Sequence, residues 1–486
     1  MIFNSLEEFI LELESRGELK RIKEQVDAEL EISEITDRVS KMTGEKNVAL
    51  LFENVKGYDM PVLTNAFGSL NRLSLALGVE KIDDISREIE DILQIPYISI
   101  QNKLDLLKII PLAKRSINFP KYVKKAPCKD VIIKDNPSIE HLPILKCWPQ
   151  DGGKFITFPL TFTKNPLNGK RNIGMYRMQV YDKNTLGMHW HIHKNGAENY
   201  RAHIELGKDR MEAAVVIGTE PLITYAATAP LPKDIDEMIF AGFLRKKAVE
   251  LVKCETVDLE VPASAEIVLE GYIDLKEKRR EGPFGDHTGF YSLADDYPVF
   301  HLTCITHKKN PVYFTTIVGK PPMEDCYLAK ATERIFLPLI KQQIPEIVDI
   351  NLPFSGVFHN CAIISIKKTY PKQAQKVMHA IWGLGQMMFT KMIVVVDEHI
   401  NLNDLNEVFW YVSNNIDAKR DITMVEGPLD ALDHSSPMPN FGTKIGIDAT
   451  KKWPEEGHTR PWPDEIVMSK DIKDLVDAKW NSLGLD

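Results

Sequence analysis

Six cysteines are scattered over 486 residues, and none sits in a Cys-x-x-Cys pair. That scarcity excludes a disulfide framework and a thiolate zinc site, and it points to reduced thiols in a cytosolic protein. A long apolar run is also missing. The most apolar stretch, Met392-Ile393-Val394-Val395-Val396, is strand-length and far short of the ~20 residues that cross a bilayer. The N-terminus does not read as a signal peptide. Ser5-Leu6-Glu7-Glu8-Phe9-Ile10 reads as a capping box opening an amphipathic helix, with Phe9, Ile10 and Leu13 on one face and Gly17 near its end. Positive charge is not in excess. A net charge of -9 argues against nucleic acid or another general polyanion as partner, but allows a local basic pocket around a phosphate-bearing cofactor. Repeats and low-complexity segments are lacking too. The chain does contain 44% hydrophobic and 27% charged residues, enough for a core in each of two or three domains.

The pattern along the chain is α+β. Residues 1 to about 110 alternate helices and short strands, with a buried strand at 48–52 and a helix at 82–93. A linker follows, marked by Pro111, Pro120 and Pro127 with Lys121, Lys124 and Lys125. From 131 to about 320 strands dominate, at 155–163, 173–181, 188–193, 213–218, 266–274, 299–306 and 312–318. One helix, at about 234–251, interrupts them. Many strands around one helix predict a β-barrel or sandwich. After Glu324 a helix runs to Gln343, and strands at 361–366 and 391–396 flank a helix at 371–384. The expected divisions are 1–125, 126–323 and 324–486. The tail at 463–485 reads as a helix that packs on a partner subunit, with Ile472, Leu475, Val476 and Trp480 on one face.

Four clusters carry polar groups where apolar ones would be ordinary. Asn172 and Arg177 lie in an apolar strand pattern, and a buried arginine needs an anionic partner. An inter-strand salt bridge meets that need without any site. Period-two alternation puts the two residues on opposite faces, so a shared site requires Asn172 at a strand end or bulge. His189, His191 and His193 share one strand face and read either as metal ligands or as half-exposed strand residues. Asp234 and Glu237 fit a capping box at the helix entrance. With Asn and His, Glu237 also makes a mixed O/N set suited to Mn2+ or Mg2+. The fourth cluster, Glu281-Gly282-Pro283-Phe284-Gly285-Asp286-His287-Thr288-Gly289, is a tight loop with two carboxylates and a histidine. Phe284, Phe290 and Tyr291 desolvate it, which raises a carboxyl pKa toward usable acidity. These signals give a metal site plus paired acids and no particular reaction.

Asn172 to Arg177, Leu251 to Cys254, Asp258 to Gly271, Glu281 to Gly289 and Gly442 to Thr450 together resemble the UbiD family of decarboxylases. The resemblance covers nearly the whole chain. Gly17 to Arg21 and Leu51 to Gly57 are similar to the branch acting on 4-hydroxy-3-polyprenylbenzoate in ubiquinone biosynthesis. The resemblance implies a central FMN-binding split β-barrel flanked by N- and C-terminal α/β domains. It implies prenylated FMN, a divalent ion (Mn2+ typically) at its phosphate, sometimes K+, and a homo-oligomer, dimer or hexamer. It implies a small aromatic acid as substrate, a flavin prenyltransferase as cofactor supplier, and a cytoplasmic place with peripheral contact at the inner membrane face. Arg177, Glu281 and Asp286 match the catalytic set, and Asn172 and Glu237 match metal ligands. His189 is the aligned histidine ligand; His191 is the alternative, since the ubiquinone branch has arginine at the first position. Met175, Tyr176, Arg177, His189, Trp190, His191, Lys194, Asn195 and Lys444 match cofactor contacts. Two rival classes are a flavin oxidoreductase, which has no need of the Arg177, Glu281 and Asp286 set, and a non-catalytic flavin-binding or assembly subunit.

Overall fold

The computed structural model describes residues 2–94, 118–190, 195–231 and 235–485. At the start of the chain Ser5 Oγ accepts from the Glu8 amide at 3.1 Å and caps helix Leu6–Ser15, whose Phe9, Ile10 and Leu13 are buried. The reciprocal bond reaches one residue further than a capping box, from the Asn4 amide to the Glu8 carboxylate at 2.7 Å. The helix packs on a four-stranded sheet of Leu19–Ile22, Ala49–Phe52, Val62–Thr64 and Tyr313–Phe314. The last strand comes from far downstream, so the N-terminal part shares its sheet and core with the central part.

The centre is one antiparallel sheet. Its strands lie in the order Phe155–Ile156, Met178–Val180, Thr185–Met188, Asp295–His307, Ile267–Glu281, Arg210–Ile217, Pro159–Lys164, Arg171–Met175, with Val131–Ile133 beside Asp295–His307. The hydrogen-bond ladder does not close on itself among the described residues. The two ends are nevertheless joined covalently twice, through Thr157-Phe158 and through Tyr176-Arg177. A two-residue link reaches about 11 Å at most, so the sheet must curl until its ends nearly meet along a seam. The single strand expected at 173–181 is therefore two. Arg171–Met175 pairs with Pro159–Lys164, and Met178–Val180 pairs with Phe155–Ile156 and Thr185–Met188. Arg177 lies in the gap, where strand alternation no longer dictates direction.

Two further expectations are corrected here. The strand foreseen at 188–193 is Thr185–Met188, followed by irregular His189 and Trp190; His191, His193 and Lys194 lie outside the described residues. The helix foreseen at 234–251 is Glu237–Arg245. Its cap is Asp236, which accepts from the Met238 amide at 2.8 Å, while Asp234 lies outside the described residues. Lys246 ends the helix with φ 55°, and Glu250–Lys253 then pairs as a strand with Lys121–Val123 and Glu260–Pro262.

The C-terminal part opens on helix Glu324–Gln343 and builds a sheet in the order Ile347–Asn351, Cys361–Ile366, Met392–Asp397, Phe441–Asp448, Ile422–Pro428. Its three middle strands are parallel and carry helix Gln373–Trp382 on one face. The tail is less helical than its periodicity suggests. Only Lys470–Asp477 is α-helical, with a short turn of helix at Trp480–Leu483. No residue of either piece is buried, so among the described residues nothing covers the apolar stripe that would extend it. Among the described residues no helix is long and apolar enough to cross a membrane.

Candidate active site

The seam of the central sheet delivers Arg177 to the end of the long strand Ile267–Glu281. There its Nε donates to Glu281 Oε1 at 2.8 Å, and its Nη1 forms an ion pair with Asp286. Nη2 donates to Ser292 Oγ at 3.0 Å. The guanidinium carbon also lies 4.4 Å from the centre of the Phe284 ring. All three charged side chains are at most 9% exposed. His189 Nδ1 meets the other Glu281 oxygen at 3.1 Å, and the His189 amide donates to the Arg177 carbonyl at 3.2 Å.

This arrangement sets the charges. Burial pushes the Glu281 carboxyl up, but the bond from His189 and the Arg177 charge outweigh it and hold it at about 2. Burial acts the same way on Asp286, and Arg177 and His287 hold it below the ordinary carboxylate range. Burial, then Arg177, lowers the pKa of His189, so it faces Glu281 as a neutral Nδ1–H imidazole. Both acids are thus ionised while they share Arg177. The desolvating aromatics that promise a raised pKa on the acid loop are present, but the arginine between the carboxylates decides the sign.

The acid loop is held from below by residues that carry no obvious motif. Asp151 Oδ1 accepts from the Gly285 amide at 2.7 Å, and its Oδ2 accepts from the Trp148 and Cys147 amides at 2.8 and 3.1 Å. Gln179 Oε1 accepts from the Gly282 amide at 2.7 Å, and its amide nitrogen donates to the Gly152 carbonyl at 2.9 Å. Gly285 lies flat on Trp148, where a Cβ would come within 2.2 Å of the indole Cδ1. Phe284–Gly285 pairs with Tyr291–Ser292 and closes the loop. Asp151, Gln179, Ser292 and His359, which touches His287, escape a reading of the sequence. The Asp151-Gly152-Gly153 turn was the available signal for the first; His359 offered none.

A second group lies on the other side of the seam. Asn172 is buried on Arg171–Met175, and its amide nitrogen, beside the Tyr176 hydroxyl, makes no hydrogen bond of good geometry. Glu237 is buried at the helix entrance and accepts from the Ile173 amide at 3.0 Å; burial pushes its carboxyl up to about 8. An orphaned amide and a buried carboxylate short of positive charge together suit a cation with an anionic group on it. Beside Asn172 a cavity is lined by Lys170, Arg171, Asn195, Glu198 and Asn199, among others. Asn195 opens helix Asn195–Glu205. Tyr176 and Trp190 pack edge to face at 6.1 Å, and the buried Trp190 Nε1 has no hydrogen-bond partner among the described residues. A Cβ at Gly196 would sit 2.7 Å from that nitrogen. Met175 is half-buried between two apolar clusters. Lys444 stands apart: it lies on strand Phe441–Asp448 of the C-terminal sheet, and its ammonium donates to the Met388 carbonyl. His191 and Lys194 lie outside the described residues. Among those residues no group of three or more His, Cys, Asp or Glu is placed to hold a metal.

Comparison with known proteins matches the chain to three family models. They are the 3-octaprenyl-4-hydroxybenzoate carboxy-lyase N-terminal domain over residues 10–91, its Rift-related domain over 121–321 and its C-terminal domain over 326–449. The chain is 53% identical over 485 residues to an uncharacterized protein of Archaeoglobus fulgidus, covering 99% of both. Among solved structures it is similar to vanillic acid decarboxylase of Sedimentibacter hydroxybenzoicus in closed form, with 29% identity, 100% of both chains covered and a TM-score of 0.87. It is also similar to the UbiD-class enzyme HmfF of Pelotomaculum thermopropionicum in complex with FMN, with 30% identity, 97% and 99% covered and a TM-score of 0.80.

The loop geometry makes Asp151 the support whose loss is most local. Asp151→Ala leaves three buried amides without an acceptor, a cost of about 1–3 kcal/mol for each that stays dry. It is expected to leave the fold intact by circular dichroism while increasing amide hydrogen exchange across 282–289.

Proposed function

We propose that this chain, which belongs to the UbiD family of carboxy-lyases, is a non-oxidative decarboxylase of an aromatic or α,β-unsaturated acid that works with prenylated FMN. The observation that carries this reading is the buried Arg177 held between two ionised acids, a cation positioned to receive a third carboxylate. Prenylated FMN would supply the electron sink that no side chain offers to the carbon losing CO2. Asn172 and Glu237 would hold a divalent ion, Mn2+ in the first instance, at the cofactor phosphate. His189 or His191 is the third ligand in this reading, and K+ is a second candidate ion. Met175, Tyr176, Trp190, Lys194 and Asn195 would line the cofactor's place.

The protein's own part follows from charge. Arg177, Glu281 and Asp286 sum to one negative charge, and a protonated His287 brings the cluster to neutrality. The substrate carboxylate takes the Arg177 Nη1 from Asp286, while Glu281 keeps Nε and so keeps the guanidinium oriented. An added buried anion is costly, so a proton enters with it, and Asp286, freed of its arginine in a buried place, is the group that holds it. The C–C bond to the carboxylate then breaks, CO2 departs, and the electron pair left on carbon takes the Asp286 proton. The balance is RCOO− + H+ → RH + CO2. Positioning by the Asp151 and Gln179 bonds, rather than raw acidity, places that proton.

For the substrate we favour 4-hydroxy-3-polyprenylbenzoate, the acid type in the matched family descriptions. A small phenolic acid is the second reading, supported by the likeness to vanillic acid decarboxylase. We also propose a homo-oligomer, supported by the uncovered apolar stripe of Ile472, Leu475, Val476 and Trp480.

The direct test is co-expression with a flavin prenyltransferase, followed by CO2 release from a panel of aromatic acids; release from none of them contradicts the reading. In that enzyme Asp286→Asn should retain flavin and metal yet lose turnover by about 100-fold or more, in the range of general-acid losses, and should slow solvent deuterium exchange into the product carbon. Glu237→Ala should lose metal and flavin together, read by elemental analysis and absorbance; full retention of both returns Glu237 to a purely helix-opening role. Truncation after Trp462 should lower the native mass to that of a smaller assembly, and an unchanged assembly removes the tail from the interface.

A further inference from the structure

A line of contacts leaves the reacting centre and enters the C-terminal part. His287 Nδ1 meets Asp286 Oδ1 at 2.8 Å, and His287 Nε2 meets His359 Nε2 at 2.9 Å. His359 stands between the short helix Phe354–Gly356 and strand Cys361–Ile366. Its two predecessors, Val357 and Phe358, adopt φ of 53° and 44°, a conformation that non-glycine residues hold only when their surroundings impose it. Phe358 stacks on the His287 ring with centroids 5.4 Å apart. Burial rises inward along this line, from half-buried His359 to buried Asp286.

The hydrogen count at these contacts is restrictive. A nitrogen facing a nitrogen at 2.9 Å has room for one proton between them. An ionised Asp286 requires a proton on His287 Nδ1. Two arrangements satisfy both contacts. If His359 donates, His287 is neutral and can give up its Nδ1 proton only by taking the His359 proton onto Nε2, since an imidazolate would otherwise result. If His359 accepts, His287 is an imidazolium that can pass its Nδ1 proton to Asp286 and keep its Nε2–H bond before and after. The groups facing His287 favour the second. They are Asp286 on its own loop, Asp325 from helix Glu324–Gln343 and Asp430 from the C-terminal part, with His359 at its far nitrogen. The first three attract a cation.

We propose that His359 is a positioning residue for the proton step: by accepting from His287 Nε2–H it holds His287 as the donor that loads Asp286. In that transfer the proton leaves Nδ1 for Oδ1, the imidazolium becomes neutral imidazole, and the carboxylate becomes the acid that the departing CO2 exposes to carbon. The inference rests on the decarboxylase reading above and extends its acid to a residue of another part of the chain.

The test compares His359→Leu, which cannot accept, with His359→Gln, whose side-chain oxygen can. In the cofactor-loaded enzyme His359→Leu should lower kcat by about 10-fold or more, leave KM within about 2-fold, and move the alkaline limb of the kcat–pH profile to lower pH. His359→Gln should retain most of kcat and the wild-type limb. Independently of turnover, 15N NMR of histidine-labelled full-length protein should show His287 losing its proton at lower pH in His359→Leu. A wild-type profile in His359→Leu, or a loss in His359→Gln as deep as in His359→Leu, overturns the proposal. If the wild-type protein decarboxylates no acid, the decarboxylase reading fails on its own, and an unshifted His287 titration is what overturns the role of His359.

Discussion

A guanidinium buried at the seam of the central sheet is the constraint to which the other parts answer. Left unpaired, the Arg177 charge would cost several kcal/mol. The fold meets that cost with two carboxylates on different guanidinium nitrogens, Glu281 at the end of a long strand and Asp286 on the loop that follows it. The arginine helps to keep both acids ionised at their depth, together with His189 on Glu281 and His287 on Asp286. Glu281 is also tied to His189, so it is the fixed partner. Asp286 is tied to His287, which has its own links outward, so it is the exchangeable one.

The architecture explains why this pairing occurs where it does. Because the two ends of the sheet are joined by Thr157-Phe158 and Tyr176-Arg177, the chain must cross the seam at Arg177. Before the crossing, strand Arg171–Met175 carries Asn172 and bonds Glu237; at the crossing, Arg177 takes Glu281 and Asp286. Tyr176, between that strand and Arg177 in sequence, packs on Trp190 and faces Gly196. The acid loop is in turn kept in place by Asp151 and Gln179, which accept from its amides, so its carboxylates are set by a scaffold rather than by their own mobility.

Much of this was legible in the sequence where local chemistry decides. The Ser5 cap, the buried 49–52 strand, the strand-rich centre and the helix from Glu324 follow from periodicity and capping. The grouping of Arg177, Glu281 and Asp286 followed from family resemblance and the glycine-rich loop. What was not legible depends on long-range pairing. The break at Tyr176 and Arg177 arises because the two halves of one apolar run pair with different strands, and no local pattern reports that. The cap moved from Asp234 to Asp236 because the backbone at 236, and not the spacing to Glu237, sets where the helix begins. The C-terminal helix is shorter than its periodicity suggests because, among the described residues, none of its own is buried and no packing extends it. The ionised state of Asp286 required knowing that Arg177 lies between both acids, and His359 carries no signal until the C-terminal part is folded against the loop.

The central claim is that the substrate's carboxylate replaces Asp286 on Arg177 and brings a proton with it. Calorimetric titration of the cofactor-loaded enzyme with an unreactive aromatic acid tests this most directly, in buffers of different ionisation enthalpy near neutral pH. The account predicts uptake of about one proton per site on binding, by linkage between anion binding and the protonation of Asp286 or His287. Binding with no proton uptake would contradict it, because the site would then have accepted a buried anion with nothing to balance its charge.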